Sequence, residues 1–236
     1  MKYFDNYKKP EGKLGGMIAK SMNKEHTPVS LWGLKHIDIN PEDMIMDVGC
    51  GGGINLRRMQ EKAYNGHVIG LDHSEKSVEI SSKVNEDLIK EGKVEVIQGD
   101  VQDLKFEDET FDKVTAFETI YFWPGLAHCF GEVRRVLKPG GKFLIGLESN
   151  GDSSMVMKFF GTVIDMTNYN DSEVIKALQE AGFEDIVFYS RDAKNNKQNV
   201  REISSEGLKK YSIDDDLDKG SYTERFVQWA TFVATK

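Results

Sequence analysis

The sequence predicts an α/β fold with a largely parallel sheet, on two observations. From Met44 onward, short apolar and β-branched runs alternate with longer segments whose apolar residues recur at helical spacing. A glycine-rich stretch, Gly49 to Gly53, lies between the first such run and the first helical pattern. Glycines there allow a sharp turn and let a ligand reach the backbone amides at a helix N-terminus.

Five strands and three helices are predicted up to Glu148. The strands are Met44 to Val48, His67 to Asp72, Lys93 to Gln98, Phe111 to Phe117 and Lys142 to Glu148. The helices are Ile54 to Lys62, Glu75 to Lys90 and Pro124 to Leu137. Ser74 is the expected N-cap of the second helix, and Pro124 suits the first position of the third.

The pattern is looser beyond Glu148. A helix is predicted from Ser172 to Ala181, followed by apolar runs at Phe183 to Ser190 and Arg225 to Thr235. A polar segment of about thirty residues separates these two runs, which is long for a connection in a compact domain. It is interpreted as a functional lid, an oligomer contact or a mobile insert.

Composition limits the classes of partner. The 236 residues carry a formal net charge of -8, which argues against nucleic acid as a partner because phosphate neutralisation needs a basic face. Cys50 and Cys129 are too few for a disulfide framework or a zinc site. The opening residues have no apolar core typical of a signal peptide, and no stretch is long and apolar enough to span a membrane. A cytoplasmic protein is the expectation.

The glycine spacing indicates a particular kind of ligand. Gly49, Gly51 and Gly53 follow G-x-G-x-G, whereas the dinucleotide pattern G-x-G-x-x-G would need glycine at Ile54. A phosphate-binding loop would need Gly-Lys-Ser/Thr, which is absent here. Asp72 ends the second strand, where nucleotide-binding α/β folds place a carboxylate on ribose hydroxyls. Asp100 and Val101 follow the third strand. Together with the glycines and Asp72, they predict a pocket for an adenosine that carries no long phosphate chain.

Five motifs in chain order carry a resemblance to a known family. They are MDVGCGGG, VIGLDHS, IQGDVQDL, FDKVTAFETIYFW and VRRVLKPGGKFLI. The series resembles the class I S-adenosylmethionine-dependent methyltransferases, in particular the small-molecule enzymes related to ubiquinone and menaquinone biosynthesis. The resemblance implies a Rossmann-like sheet of seven strands, mostly parallel with the last strand antiparallel, and helices on both faces. ETIYFW replaces the N-P-P-Y/F motif of amino-methylating DNA enzymes.

The resemblance also implies roles for individual residues around S-adenosylmethionine. Gly49, Cys50 and Gly51 would line the methionine moiety. Asp72 and His73 would bind the ribose, and Asp100 with Val101 the adenine. Glu118 would lie where cofactor and acceptor meet, as a cofactor contact and a candidate catalytic residue.

Methyl transfer from a sulfonium is an in-line displacement, so the protein mainly positions the two reactants and excludes water. No metal is expected. Tyr121, Phe122 and Trp123 follow the fourth strand as candidate acceptor contacts, with packing under a cover segment as the alternative. His26 is a candidate general base, with a helix-end or surface histidine as the alternative.

One methyltransferase domain over residues 1–236 is predicted, with a lid segment at 1–40 and a cofactor-binding core at 41–150. Residues 151–236 would form the acceptor side and the final strands, with the insert near 191–224. The predicted function is methyl transfer to a small-molecule acceptor. An NAD-dependent oxidoreductase and an inactive S-adenosylmethionine-binding regulatory module are the alternatives. The acceptor, its attacking atom and the oligomeric state stay open.

Overall fold

The computed structural model describes residues 26–148, 166–192, 197–214 and 229–236. The described part contains nine strands: β1 Met44–Val48, β2 His67–Asp72, β3 Val94–Gln98, β4 Phe111–Phe117, β5 Leu137–Leu147, β6 Asp185–Asp192, β7 Lys197–Ser204, β8 Gly207–Asp214 and β9 Ala230–Thr235. It also contains six α-helices: α1 Thr27–Gly33, α2 Ile54–Lys62, α3 Glu75–Val84, α4 Glu86–Lys90, α5 Leu126–Val136 and α6 Asp171–Glu180. A 3-10 turn, Ile120–Phe122, lies between β4 and α5.

All nine described strands belong to one sheet, in the order β3-β2-β1-β4-β5-β9-β6-β7-β8. The first five strands are parallel, and β9 runs antiparallel between β5 and β6. The prediction of an antiparallel last strand is therefore confirmed. After β3 the chain crosses to β4 on the other side of β1. In sheets of this kind a ligand crevice opens at such a switch point, outside the carboxyl ends of the strands.

The prediction of seven strands was wrong. Strands β7 and β8 form an antiparallel hairpin that extends the sheet beyond β6, within the segment interpreted as an insert. The sequence pattern did not predict this hairpin because it lies at the edge of the sheet. Most of its side chains there are half-buried or exposed, so its strands do not need alternating apolar residues. Val200 and Gln198 are its buried members.

Apolar residues cover both faces of the sheet, as successive strand residues point to opposite sides. One cluster includes Met46, Ile69 and Ile145 and packs against α5 and α6. The other includes Ile45, Val68 and Leu144 and packs against α2. Each face is therefore covered by helices, as predicted.

Two helix predictions need correction. The helix predicted over Glu75 to Lys90 is two helices separated at Asn85, whose buried side-chain amide donates to the carbonyls of Gly53 and Ser81. The third helix begins at Leu126 and not at Pro124, because Gly125 adopts φ 68° immediately before it. The Ser74 cap is confirmed: its hydroxyl accepts a bond from the Ser77 amide.

Part of the predicted lid and acceptor side lies outside the described residues, namely 1–25, 149–165, 193–196 and 215–228. Of the predicted lid, α1 is described, and Arg58 on α2 donates to the hydroxyls of Ser30 and Thr27 there. Among the described helices, none has the length and apolar character needed to cross a membrane.

Candidate cofactor and acceptor site

A cavity of about 380 Å³ lies at the carboxyl ends of β1, β2 and β4 and the loop after β3. This volume is in the range of small-molecule sites. The predicted site residues that line it are His26, Gly49, Cys50, Gly51, Asp72, His73, Asp100, Val101, Glu118, Phe122 and Trp123. Tyr121 is not among the lining residues. The chain therefore brings together, at one edge of the sheet, eleven of the twelve positions singled out from sequence.

The three spaced glycines of the turn after β1 serve different purposes. A Cβ on Gly49 would lie 2.2 Å from Thr119 Oγ1, and one on Gly53 would lie 2.1 Å from Ser81 Oγ. At Gly51 a Cβ would meet nothing within 4 Å. Gly49 and Gly53 thus leave room for the protein's own side chains, whereas Gly51 borders open space in the cavity.

Asp72 is held rigidly at the end of β2. Its Oδ2 accepts a 2.9 Å bond from the amide of Gly51, and its Oδ1 accepts a 2.9 Å bond from the amide of Ser74. The Asp72 side chain is largely buried, and burial raises the pKa of its carboxyl. Ser77 also hydrogen-bonds this carboxylate, and since its two oxygens can together accept four bonds, acceptor capacity remains towards the cavity.

The loop after β3 lines the opposite side of the cavity. Asp100 Oδ1 accepts a 2.9 Å bond from the backbone amide of Gln102, which forms a local turn. Val101 is buried. Its side chain lines the cavity and also belongs to the apolar core. The pairing of a polar and an apolar side chain here suits the edge and the face of a nucleobase.

Sequence reasoning missed Asp47. This residue lies within β1, lines the cavity and is almost wholly buried. Thr115 on β4 donates a 2.6 Å hydrogen bond to its Oδ1. Burial is the largest cause that raises the pKa of Asp47 to about 7, with the Thr115 bond acting in the opposite direction. The available signal was a carboxylate inside an otherwise apolar strand run, MIMDV.

Glu118 and His26 meet a second residue that the sequence analysis did not single out, Glu148. The backbone amide of Glu148 donates to the Glu118 carboxylate, and His26 Nδ1 lies 3.4 Å from Glu148 Oε1. Burial, which is opposed by His26, raises the pKa of Glu118 to about 7. One ligand atom from each of the three residues lies within 4.8 Å of the others, a spacing that a metal ion could use.

The three aromatic residues after β4 have different surroundings. Tyr121 is buried, and its hydroxyl lies 3.4 Å from both carboxylate oxygens of Glu118. Trp123 is buried, stacks on Phe143 and donates from Nε1 to Thr119 Oγ1 at 3.3 Å. Phe122 is half-buried and lines the cavity. Packing therefore dominates for Trp123, whereas Phe122 is placed to contact a ligand.

The charge and the shape of the cavity lining indicate which cofactor it can bind. Among the described lining residues there are four acidic side chains, Asp47, Asp72, Asp100 and Glu118, and no lysine or arginine. Asp72 and Asp100 supply negative charge near neutral pH, and Asp47 and Glu118, whose pKa burial raises to about 7, add part of theirs. A dinucleotide pyrophosphate would be repelled in such surroundings, whereas a sulfonium and an amino group would be attracted. The fixed Asp72 carboxylate and the open space at Gly51 fit an adenosyl group that continues into a cationic chain.

Comparisons with known proteins are consistent with this geometry. Residues 46–145 match the family model described as Methyltransferase domain. A sterol 24-C-methyltransferase of Gibberella zeae is 40% identical over 111 residues, which are 46% of this chain and 28% of that protein. The chain therefore matches little more than a quarter of the length of that relative.

Two solved structures share the fold. A chain solved in complex with the Haloferax volcanii Trm112 methyltransferase activator has a TM-score of 0.70 at 21% identity, covering 98% of this chain and 96% of its own. The geranyl diphosphate C-methyltransferase of Streptomyces coelicolor, solved with S-adenosyl-L-homocysteine, has a TM-score of 0.65 at 14% identity, covering 95% and 84%. The family match runs from β1 to β5, where the strand ends border the cavity, and this part of the chain is similar to methyltransferase domains.

Proposed function

We propose that the protein transfers a methyl group from S-adenosylmethionine to a small-molecule acceptor within the cavity. The observation that carries this proposal is the set of residues around the turn after β1. Asp72 is fixed by two backbone amides, and Gly51 borders open space beside it. The acidic lining then favours a cationic cofactor over a pyrophosphate.

Each part of the cavity has a role in this proposal. Asp72 and His73 would bind the ribose hydroxyls, and Asp100 with Val101 would bind the adenine. The turn from Gly49 to Gly51 would line the methionine moiety, with Asp47 beneath it. When bound, S-adenosylmethionine supplies an electrophilic methyl group, so that the chain has only to orient the acceptor and exclude water.

The acceptor would approach from the end of the cavity formed by His26, Glu118 and Phe122. His26 and Ser30 lie on the lining at the start of α1, which supports the role of the 1–40 segment as a cover. Glu118 lies on the same lining and would contact both cofactor and acceptor. The residues after 150 would complete the acceptor side. The net charge of -8 favours a small-molecule acceptor over nucleic acid.

The proposal is tested by following S-adenosylhomocysteine formation with pooled small-molecule extracts, and separately with RNA, DNA and protein fractions. Product formation with the small-molecule pool alone is expected, and the methylated compound can be identified by mass spectrometry with a deuterated methyl donor. Turnover only with a macromolecular fraction would contradict the acceptor class. Cofactor binding without turnover on any fraction would favour the regulatory module instead.

A further inference from the structure

Glu118 and His26 line the cavity, and Glu148 lies beside both of them, with one ligand atom of each residue within 4.8 Å of the others. Glu118 follows β4 and Glu148 follows β5, so the pairing of these parallel strands brings the two carboxyl-bearing residues side by side. His26 reaches the pair from the residue before α1, with its Nδ1 3.4 Å from Glu148 Oε1. We refer to these three residues as the carboxylate pair and its histidine.

When both are ionised, the two carboxylates carry more negative charge than one histidine can balance. One imidazolium can offset only one of two carboxylates, and the described lining of the cavity has no lysine or arginine. Tyr121, the other titratable group in contact with Glu118, is uncharged near neutral pH, and burial and the nearby carboxylates raise the pKa of its phenol. Two carboxylates at close range, here Glu118 and the partly exposed Glu148, are stabilised when they share a proton or meet a cation.

Phe117, Phe122 and Trp123 line the same cavity as Glu118. Ring faces attract organic cations, and the attraction grows when the cation loses its water. A cavity lined by carboxylates and aromatic rings thus suits an organic ammonium, whereas a phenolate, carboxylate or phosphate would meet like charge.

We propose that the methyl acceptor is an organic amine, which Glu118 and Glu148 bind as an ammonium ion and deprotonate before transfer. This inference rests on the proposed function. The ammonium gives one proton to the carboxylate pair. The nitrogen lone pair then forms the new N–C bond, while the S–C bond breaks with its electrons remaining on sulfur. The product is a methylated ammonium, and the carboxylate pair releases its proton to solvent before the next cycle.

The test compares acceptors of one shape and different charge. Benzylamine, benzyl alcohol and benzoate share a phenyl ring, the cyclohexylmethyl series shares a cyclohexyl ring, and the butyl series shares an open alkyl chain. Each compound is titrated into the protein saturated with S-adenosylhomocysteine. Amines are expected to bind at least about tenfold more tightly than their alcohol or carboxylate counterparts. In the presence of S-adenosylmethionine, N-methylated products are expected by mass spectrometry.

Variants identify the groups that cause this preference. Glu148→Gln and Glu118→Gln should each remove most of the preference for amines and leave alcohol binding within about twofold. The matched control is Glu95→Gln, on the exposed side of β3, which should keep the preference. S-adenosylhomocysteine affinity of Glu148→Gln is measured in parallel and should be unchanged.

Several outcomes would overturn the inference while leaving the proposed function intact. In the first, the protein binds S-adenosylhomocysteine but shows no preference for amines in any series. In the second, it prefers amines, and that preference is unchanged in both the Glu118→Gln and Glu148→Gln variants. Oxygen acceptors that bind only after Mg²⁺, Mn²⁺ or Zn²⁺ is added would assign the three residues to a metal ion. Failure of S-adenosylhomocysteine itself to bind would instead refute the proposed function, and the inference with it.

Discussion

Asp47 on β1 and Thr115 on β4 lie directly opposite each other, and the Thr115 hydroxyl donates a 2.6 Å hydrogen bond to the Asp47 carboxylate. Both residues are buried in the middle of the sheet. The bond offsets only part of the cost of burying the carboxylate, since the pKa of Asp47 rises from 3.8 to about 7. A buried acid below the cofactor cavity therefore links stability to pH.

The buried Asp47 carboxyl, whose pKa burial raises, predicts that the free energy of unfolding falls as pH rises from about 4 to about 7. In this window the folded protein binds the Asp47 proton and the unfolded chain does not, so raising the pH favours unfolding by up to ~1.4 kcal/mol per pH unit. Asp47→Asn keeps an oxygen for Thr115 and should reduce this slope. Urea denaturation at several pH values measures it. Asp103→Asn, at an exposed carboxylate, should leave the slope as in the wild type.

Asp72→Asn should weaken binding of S-adenosylmethionine by about 1.5–3 kcal/mol, the usual cost of losing hydrogen bonds to a charged group. The amide retains the shape of the side chain but can accept bonds through only one atom. Isothermal titration calorimetry measures the loss. The free energy of unfolding is measured beside it, because the amides of Gly51 and Ser74 also use this carboxylate. Unchanged affinity in a folded variant would contradict the ribose role.

Alanine substitutions separate the roles of the glycines. Gly92→Ala is the reference, since Gly92 has φ 70° and open space, and should cost roughly 1–2 kcal/mol of stability through backbone strain alone. Gly49→Ala should cost roughly 3 kcal/mol or more, because its Cβ also collides with Thr119.

Gly51→Ala should destabilise the fold about as much as Gly92→Ala but should also weaken S-adenosylmethionine binding, since its methyl group would enter the cavity. Thermal unfolding and calorimetric titration of the variants distinguish the two effects. Equal cofactor affinity for Gly51→Ala and Gly92→Ala would show that the space beside Gly51 is not used by the cofactor.

Phe122 and Trp123 are neighbours with different expected phenotypes. Trp123→Ala should lower the free energy of unfolding by ~3–5 kcal/mol, because it empties a buried aromatic cluster with Phe130 and Phe143. Phe122→Ala should cost less than half as much and mainly raise KM for the acceptor. Denaturant unfolding and steady-state kinetics give both values. A Trp123→Ala protein of wild-type stability would argue against the packing role.

The sequence predicted most of the sheet because its strands are buried on both faces. Strands β1, β2 and β4 have the predicted bounds, since apolar runs end where the polar turns begin. The β7–β8 hairpin could not be recognised in the same way. It lies at the edge of the sheet, where polar residues such as Lys209 and Lys210 satisfy a strand as well as apolar ones.

Most residues of the candidate site were predicted from their positions at the ends of strands, and residues whose roles depend on distant contacts were not. Asp72 and Asp100 were recognised because parallel strands bring their carboxyl ends together. Glu148 was not, because its role depends on a contact with His26, over a hundred residues earlier, that no local pattern encodes. Gly49 was assigned to the cofactor, whereas the structure shows that Thr119 also requires a glycine there.

The acidic cavity beside Gly51 and Asp72 is expected to bind S-adenosylmethionine. The most direct test is calorimetric titration of the protein with S-adenosylmethionine, S-adenosylhomocysteine and NAD. Binding of both sulfur nucleosides, with no heat from NAD, is the expected result. Tight binding of NAD with none of the adenosyl compounds would contradict the account, because a pyrophosphate would then be accepted by a lining whose described residues include no lysine or arginine.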